Sequence, residues 1–371
     1  GDTVTQKTID LIAGARPNFM KIAPLYHALT RTSWATPRIV HTDQHWDDNL
    51  SKFIFRDLGL PTPHFSLGAG GGTQGEVTAK VLMGYERICL ESRPDLTVVV
   101  GDVNSTAAAA LAATKLHIPI AHLEAGLRSG DRRMPEEINR LVTDQIADLL
   151  WIPSMDAEAH LLREGIPAER IQFVGNIMID SFEMLRDRIT ADGTRATLGL
   201  ERGAYAVVTL HRPSNVDDPA RLAEIVALLE DTATQLPCVY PVHPRTRGRL
   251  EAIGALARLQ ANERITLVDP LPYIAFMNLL VDCRLALTDS GGLQEETTYL
   301  GLPCLTLREN TERPVTVTEG TNELVSLDTV RERLAAVLRG EGKTGRIPAL
   351  WDGQTAERVV ESISRHLGTA P

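Results

Sequence analysis

Short apolar runs alternate along the chain with longer segments in which apolar residues recur at helical spacing. Most of the runs are apolar throughout, which is typical of parallel strands that are covered on both faces. Helical patterns between them include Ala23–Thr30, Gly75–Glu91, Ser105–Lys115 and Arg221–Thr234. This order predicts an α/β fold with doubly wound sheets. The predicted strands are Thr8–Ala15, Arg38–Thr42, Leu96–Asp102, Pro119–Glu124, Leu149–Pro153, Ile171–Gly175, Ala204–His211, Cys238–His243, Ile265–Val268, Leu285–Thr288, Pro303–Leu307 and Glu323–Val325.

The same alternation predicts how the chain is divided. Its 371 residues suffice for about two domains, at ~150 residues each. Six strands in each half predict two similar Rossmann-like domains, 1–176 and 177–354. The amphipathic pattern Thr355–Leu367 predicts a final helix within 355–371.

The composition narrows the range of partners. No apolar stretch approaches the ~20 residues of a transmembrane helix, and a net charge of −10 argues against a general nucleic-acid or anionic-membrane binder. A local cluster of Arg and His can still bind an anionic ligand, because solvent screens distant charge. The four widely spaced cysteines form no CxxC pair, so we expect no zinc site and predict buried thiols in a reducing cytosol.

The stretch from Asp289 to Glu296, DSGGLQEE, follows an apolar run and opens a predicted helix. Ser290, Gly291 and Gly292 fit a strand-to-helix turn whose bare backbone lets a phosphate approach the free N–H groups of the helix start. Glu296 falls one turn into the helix, where a carboxylate can accept hydrogen bonds from two ribose hydroxyls. The stretch therefore predicts a nucleotide diphosphate site. Taken alone, it also fits a glycine-rich turn with a capping Asp or Ser.

Nearly every other unusual polar cluster also follows a predicted strand, at the ligand-binding edge of an open α/β sheet. The clusters of the first half carry three carboxylates, Asp102, Glu124 and Glu136, and those of the second half carry histidines and Arg313. Each cluster alone has a structural alternative, such as a helix cap, an ion pair or a solvated cation. The clusters are GARPNFMK (14–21), Gln44-His45, Gly101-Asp102, HLEAGLR (122–128), PEEINR (135–140), TLHRP (209–213), PVHPR (241–245) and ENTERP (309–314).

Several common enzyme motifs are absent from the sequence. It has no GxxxxGK[ST], which argues against a P-loop kinase or ATPase, and no GxGxxG after the first strand, which argues against an NAD enzyme. Neither HExxH nor GxSxG occurs. Nucleotide-binding features in the second half and carboxylates in the first suit a nucleotide-linked substrate whose reactive part faces the first domain.

Taken together, these residues resemble the non-hydrolysing UDP-N-acetylglucosamine 2-epimerases. The resemblance covers residues 8–367 and keeps the motifs in order. The matching motifs are GARPNFMKIAPL (14–25), GDVNST (101–106), HLEAGLRSGD (122–131), PEEINR (135–140), VGNIMID (174–180), TLHRPSNVDD (209–218), YPVHPR (240–245), DSGGLQEE (289–296) and RENTERPVTVTEGTN (308–322).

The resemblance implies a glycosyltransferase-B fold, in which two Rossmann-like doubly wound domains face a cleft and the last helix crosses back to the first domain. It also implies a cytoplasmic homodimer that acts on a UDP-sugar without metal or cofactor, and no nucleic-acid or membrane partner. The implied catalytic residues are Asp102, Glu124, Glu136 and His211. The implied UDP-binding residues are Arg16, Lys21, His243, Phe276 (the uracil pocket), Ser290, Gly291, Gly292, Glu296 and Arg313.

The implied reaction interconverts UDP-N-acetylglucosamine and UDP-N-acetylmannosamine for cell-surface polysaccharide precursors. The hydrogen on carbon 2 is not acidic in the intact sugar, so UDP leaves first and loss of this proton gives a glycal. UDP adds back after a proton arrives on the opposite face. Two faces require two acid–base groups, for which we hypothesise Asp102 as base and Glu124 or Glu136 as its partner.

Three departures from the family pattern widen the range of possible functions. Asn18 stands where many bacterial members have Glu, LHRPSN (210–215) replaces GHRRE, and Gly68–Gln74 lacks an Arg common in members that UDP-N-acetylglucosamine activates allosterically. The departures leave that activation unsupported and admit a modified sugar, UDP-2,3-diacetamido-2,3-dideoxy-glucuronic acid. The sequence is also compatible with a glycosyltransferase of the same fold, a hydrolysing epimerase and a nucleotide-sugar binding protein without turnover.

Overall fold

The structure, a computed structural model, describes residues 5–43 and 49–369. The chain forms two compact units. The first comprises the residues up to Met184 together with those from Ala349 onward, and the second comprises Leu185–Pro348. The division falls inside the helix Ile177–Ala191.

The first unit is built on a seven-stranded parallel sheet. In the sheet the order is β3-β2-β1-β4-β5-β6-β7. Leu11 of the first strand lies between Ile39 and Val98 in register. The winding reverses between β1 and β4, so the carboxyl ends of these strands form a topological switch point. The strands are β1 (Lys7–Ala13), β2 (Ala35–His41), β3 (Phe65–Ser66), β4 (Leu96–Val100), β5 (Ile120–Leu123), β6 (Leu149–Ile152) and β7 (Ile171–Phe173).

The second unit repeats this winding with six parallel strands in the order β10-β9-β8-β11-β12-β13. Leu287 lies in register between Val208 and Leu305. The switch point of this sheet lies between β8 and β11. The strands are β8 (Ala206–Thr209), β9 (Cys238–Pro241), β10 (Ile265–Val268), β11 (Leu285–Thr288), β12 (Cys304–Leu307) and β13 (Asn322–Val325).

Helices connect the strands and cover the sheets. The alanine-rich α4 forms readily because Ala has the highest helix propensity, and α1 begins with Pro17 in its first turn. The helices are α1 (Arg16–Thr30), α2 (Asn49–Asp57), α3 (Gln74–Glu91), α4 (Asn104–Lys115), α5 (Pro135–Ile146), α6 (Met155–Arg163), α7 (Ile177–Ala191), α8 (Thr194–Thr197), α9 (Pro213–Val216), α10 (Pro219–Gln235), α11 (Pro244–Ala252), α12 (Leu256–Ala261), α13 (Tyr273–Val281), α14 (Gly291–Leu300), α15 (Val315–Thr318), α16 (Val330–Leu338) and α17 (Thr355–Leu367), with a short 3-10 helix at Ala168–Arg170.

The last helix belongs to the first unit. The Asp180 carboxylate accepts hydrogen bonds from the amides of Thr355 (3.1 Å) and Ala356 (2.8 Å), at the start of α17. Farther along the helix, the Trp151 indole donates to Ser362 at 2.8 Å. These bonds fix the C-terminal helix on the unit that contains the first sheet.

The two doubly wound parallel sheets confirm the predicted α/β fold class. Every predicted strand forms, and the described residues add only β3, which has two residues and no apolar run. All four cysteines are buried and free, as predicted. No helix in the described ranges is both long enough and apolar enough to span a membrane.

Candidate active site

The first switch point begins with the turn Gly14-Ala15 between β1 and α1. Asn18 is buried, and its side-chain oxygen accepts hydrogen bonds from the amides of Gly14 (3.3 Å) and Ala15 (3.2 Å). A Cβ on Gly14 would collide with the hydroxyls of Thr42 and Ser105, so a larger residue at this turn would have to displace both side chains. Asn18 therefore holds the turn, which leaves Arg16 exposed at the first position of α1.

Asp102 lies just beyond β4, on the other side of this switch point. Its Oδ2 accepts hydrogen bonds from Arg140 Nη2 (2.8 Å) and Nε (3.1 Å), and its backbone carbonyl accepts one from the Asn139 side chain (3.0 Å). No described residue bonds to Asp102 Oδ1. The side chain is 28% exposed, so this second oxygen can meet a substrate.

Glu124 follows β5 and forms an ion pair with Lys21 of α1. The Lys21 Nζ lies 2.5 Å from Glu124 Oε1, and the two side chains are only 11% and 3% exposed. Glu124 also has a positive φ of 68°, which is costly for a residue other than glycine and clusters at functional sites. A Cβ built on Gly101 would lie 3.6 Å from Glu124 Oε1, so Glu124 is packed beside the residue that precedes Asp102.

The third predicted acid, Glu136, lies on helix α5, which also carries the partner of Asp102. Glu136 lies partly exposed in its first turn, one turn before the Arg140 that binds Asp102. The neighbouring Glu137 is fully engaged within the protein. Its carboxylate accepts hydrogen bonds from Arg140 Nη1 (3.0 Å) and from the amides of Ser129 and Gly130 (3.0 and 2.7 Å). The structure thus brings Asp102 and Glu124 to one sheet edge and places Glu136 on the helix attached to it.

The second switch point is held together by Asp289. Its carboxylate is fully buried and accepts hydrogen bonds from the amides of His211 (3.1 Å) and Arg212 (2.9 Å) and from the Asn215 side chain (2.9 Å). The hydroxyl of Tyr240 also donates to the carbonyl of Leu210. The loop after β8, which carries the half-exposed His211, is therefore fixed to the turn after β11.

The turn after β11 opens helix α14 at Gly291, with Ser290 as its N-cap. A free helix start of this kind presents backbone N–H groups and the positive end of the helix dipole. Arg313 lies against it, since a Cβ on Gly291 would collide with Arg313 Nη1 and Glu312 Oε1. The guanidinium is nearly buried and is paired with both Glu295 and Glu312. A Cβ on Gly292 would meet open space.

The other predicted UDP-binding residues of the second unit lie on α14, on α13 and at the start of α11. Glu296 is in the second turn of α14. Burial raises the pKa of the Tyr273 hydroxyl well above its usual range, and the charge of Glu296 raises it further, which places Glu296 near the start of α13. Phe276 is on the same helix. His243 caps α11, and its Nδ1 accepts from the amide of Arg245 at 3.2 Å. Its binding role remains a prediction.

Two residues that support the site carry little signal in the sequence. Arg140 is one cation within PEEINR, although its spacing from Glu136 and Glu137 places all three near one face of a helix. Asp144 looks in the sequence like one more polar position of α5. The predicted Gln44-His45 cluster lies outside the described residues. Within the described ranges, no group of three or more His, Cys, Asp or Glu side chains is arranged to hold a metal ion.

Comparison with known proteins identifies similar chains over nearly the full length. A family model described as UDP-N-acetylglucosamine 2-epimerase matches residues 27–364. The UDP-N-acetylglucosamine 2-epimerase of Methanocaldococcus jannaschii is 40% identical, over 96% of this chain and 98% of its own. The UDP-2,3-diacetamido-2,3-dideoxy-D-glucuronate 2-epimerase of Pseudomonas aeruginosa is also 40% identical, over 95% and 98%.

The fold is similar to that of solved structures as well. The crystal structure of the M. jannaschii UDP-GlcNAc 2-epimerase, in complex with UDP-GlcNAc and UDP, aligns with a TM-score of 0.87 at 39% identity, covering 96% of this chain and 99% of that one. A UDP-GlcNAc 2-epimerase from Neisseria meningitidis bound to UDP-GlcNAc aligns with a TM-score of 0.86 at 25% identity, over 97% and 100%.

Proposed function

The chain belongs to the UDP-N-acetylglucosamine 2-epimerase family, and we propose that it inverts carbon 2 of UDP-N-acetylglucosamine to give UDP-N-acetylmannosamine without net hydrolysis. The family indicated by the motifs is thus confirmed. The observation that carries the proposed activity is that the first unit has a switch point with carboxylates held by cations, and the second has one with a glycine-rich helix start beside an arginine.

The reaction needs a place for the departing UDP. In our proposal the N–H groups at Ser290, Gly291 and Gly292, together with Arg313, stabilise the charge that develops on the diphosphate. Glu296 accepts from the ribose hydroxyls and Phe276 lies against the uracil. The remaining proposed contacts to UDP come from Arg16, Lys21, His211 and His243.

Proton transfer at carbon 2 falls to the first unit. Asp102 removes the proton from one face once UDP has left, and Glu124 or Glu136 delivers a proton to the other. This assignment gives the acid–base work to the first domain (1–176), which also supplies Arg16 and Lys21, and the other UDP contacts to the second (177–354), with 355–371 as the final helix. Removal of the proton forms the carbon 1–carbon 2 double bond of the glycal. Delivery of a proton to carbon 2 and re-addition of UDP to carbon 1 then consume this double bond and give the epimer.

A second substrate is supported by the identity values. The chain is as similar to the P. aeruginosa diacetamido-glucuronate enzyme as to the M. jannaschii N-acetylglucosamine enzyme, at 40% each. Overall similarity therefore does not choose between the two sugars. The LHRPSN form at residues 210–215 supports the diacetamido-uronic acid as the alternative substrate.

The cellular setting is proposed from the same resemblance. The enzyme would work in the cytoplasm as a homodimer, would need no metal or cofactor, and would supply precursors for cell-surface polysaccharides. Its partners would be UDP-sugars rather than nucleic acids or membranes, in keeping with the net charge of −10.

The test is proton NMR of the purified protein with each UDP-sugar in turn and no acceptor. We expect the signal of the hydrogen on carbon 1 of the 2-epimer to appear, and to grow faster with one sugar than with the other. Epimer formation without an acceptor would rule out a glycosyltransferase. Release of free sugar and UDP would indicate a hydrolysing epimerase, and tight binding of both sugars without any product would contradict the proposed activity.

A further inference from the structure

His122 of β5 is a fully buried side chain between two hydrogen-bond acceptors. Its Nδ1 lies 2.6 Å from Asp144 Oδ1, and its Nε2 lies 2.8 Å from the carbonyl oxygen of Gly101. A carboxylate and a carbonyl only accept hydrogen bonds. Both ring nitrogens must therefore donate, which makes the ring an imidazolium if Asp144 is ionised.

Asp144 is surrounded by donors that favour its ionised form. Besides His122, its carboxylate accepts from the Gly126 amide (3.0 Å) and from Arg128 Nη1 (2.8 Å). Burial alone would raise the pKa of Asp144, but the charges and hydrogen bonds of His122 and Arg128 outweigh it and bring the pKa below its usual value. Independently of His122, Asp144 Oδ2 accepts from two N–H donors, one of them the Arg128 guanidinium, and this geometry favours the carboxylate.

Charge balance also favours a protonated His122 beside an ionised Asp144. Arg128 is also bonded to Glu164 through two nitrogens, at 2.6 and 2.9 Å. With His122 protonated, the row Glu164, Arg128, Asp144 and His122 is neutral. With His122 neutral and Asp144 ionised, a negative charge would remain unbalanced in a largely buried group, which is costly.

His122 and Asp144 are hydrogen-bonded to the backbone next to two of the proposed acids, Asp102 and Glu124. The Gly101 carbonyl that His122 holds belongs to the residue before Asp102, and the Gly126 amide that Asp144 holds lies two residues after Glu124. Gly101 and Glu124 both have positive φ angles, 72° and 68°. Such conformations persist only where the surroundings hold them.

We propose that the His122–Asp144 ion pair is a positioning device that fixes Asp102 and Glu124 for proton transfer at carbon 2. His122 is a positioning residue rather than a catalytic one, because its ring is buried and both its nitrogens are bonded to protein. The proposal rests on the proposed epimerase activity.

Two variants of His122 separate its hydrogen bond to Gly101 from its hydrogen bond to Asp144. In His122→Gln the amide nitrogen lies near the place of Nε2 and keeps a donor for Gly101. In His122→Asn it lies near the place of Nδ1, keeps a donor for Asp144 and loses the link to Gly101. Because a misplacement of about 1 Å can cost about 100-fold in rate, we expect kcat of His122→Asn to fall by about 100-fold, with KM and the UDP dissociation constant unchanged. His122→Gln should retain more turnover, with a kcat about tenfold above that of His122→Asn.

Steady-state kinetics, UDP calorimetry and circular dichroism measure these effects. A wild-type kcat in His122→Asn, or a kcat of His122→Gln below that of His122→Asn, would overturn the proposed link to Asp102. A parallel rise in KM and in the UDP dissociation constant would point to general damage and would also contradict it.

A measurement on the unmodified protein keeps the proposal testable if a variant fails to fold. Nitrogen-15 NMR of histidine-labelled protein, at the pH of the assay, should show one imidazole with hydrogens on both nitrogens, and this signal should be lost in Asp144→Asn. The absence of such a ring from the wild-type spectrum would overturn the ion pair. The spectrum does not depend on turnover, so a protein with this ring but no epimerisation would refute the proposed function and not the pair.

Discussion

The two units use the same strand winding for opposite electrostatic arrangements. At the first switch point the carboxylates are the candidate reactive groups, and each is held by a cation: Asp102 by Arg140 and Glu124 by Lys21. At the second, the cation Arg313 is held between two carboxylates at the start of a helix. The sheets are alike, so the difference in chemistry comes from the few residues that follow the strands.

Substitutions at the two switch points should therefore change different measurable quantities. Changes to the carboxylates at the first switch point should lower kcat and leave UDP affinity intact. Changes at the second should weaken UDP binding. Substitutions at each switch point test this separation, starting with the largest expected effect.

Asp102→Asn should have the largest effect. The amide keeps the size of the side chain but cannot take a proton, so we expect kcat to fall by about 10²- to 10⁴-fold, with an unchanged UDP dissociation constant. Asp231→Asn is a matched control, because Asp231 also pairs with an arginine at 2.8 Å but lies on the surface of the second unit. Unchanged turnover of Asp102→Asn would remove this residue from the acid–base chemistry.

Arg313→Lys should act on binding. Lysine keeps the charge but lacks the planar fork that reaches both Glu295 and Glu312. Charge-assisted hydrogen bonds contribute about 1.5–3 kcal/mol, so UDP should bind about 10- to 100-fold more weakly by calorimetry. Arg331→Lys, in an exposed pair, is the control. Undiminished UDP affinity in Arg313→Lys would show that Arg313 does not contact the diphosphate.

Gly291→Ala tests the packing of Arg313 without any ligand. The new Cβ would meet the ends of the Arg313 and Glu312 side chains, which would have to shift within their ion pair, so we expect the free energy of unfolding to fall by about 1 kcal/mol. Gly292→Ala, one residue along the same helix, meets open space and should cause no loss. Denaturant unfolding of the pair checks this, and equal stabilities would mean that Arg313 is not packed on Gly291.

A smaller effect, on the pH dependence of stability, is expected from Asp180. Its carboxylate is held by backbone amides at the start of α17 and not by a cation. Burial raises the pKa of its carboxyl from 3.8 to about 6. Because the folded state then binds the proton more tightly than the unfolded state, acid stabilises the fold through this group. Between about pH 7 and about pH 5 the free energy of unfolding should gain about 1 kcal/mol from Asp180.

Chemical denaturation of the wild-type protein and Asp180→Asn at both pH values isolates this contribution. The variant should lose the gain, whereas the exposed control Asp328→Asn should keep it. An identical pH response of the wild-type protein and Asp180→Asn would contradict the raised pKa.

The strands were predictable because burial on both faces of a parallel sheet leaves a continuous apolar run in the sequence. Such a run is local, so its position and the polar residues that follow it can be read directly. The strand β3 was missed because two residues make no run. Strand ends were overestimated where the run continues into a turn, as at Asp102 and Glu124.

The partners of the site residues were not predictable in the same way. Lys21 and Glu124 are 103 residues apart, and only the winding of the sheet brings them together. Asp289 fits a helix cap from its local sequence, yet it holds the loop at His211, because β8 and β11 are neighbours in the sheet. His122 and Asp144 carry no local signal of their pairing for the same reason.

The most direct test of the account is the epimerisation of UDP-N-acetylglucosamine in D2O, with the product analysed by mass spectrometry and proton NMR. If a carboxylate of the first unit takes the proton from carbon 2 and solvent resupplies it, the 2-epimer should carry deuterium at carbon 2. Asp102→Asn should form the epimer and exchange deuterium at least about 100-fold more slowly, while still binding UDP. A product that lacks deuterium at carbon 2 would contradict proton transfer by these carboxylates.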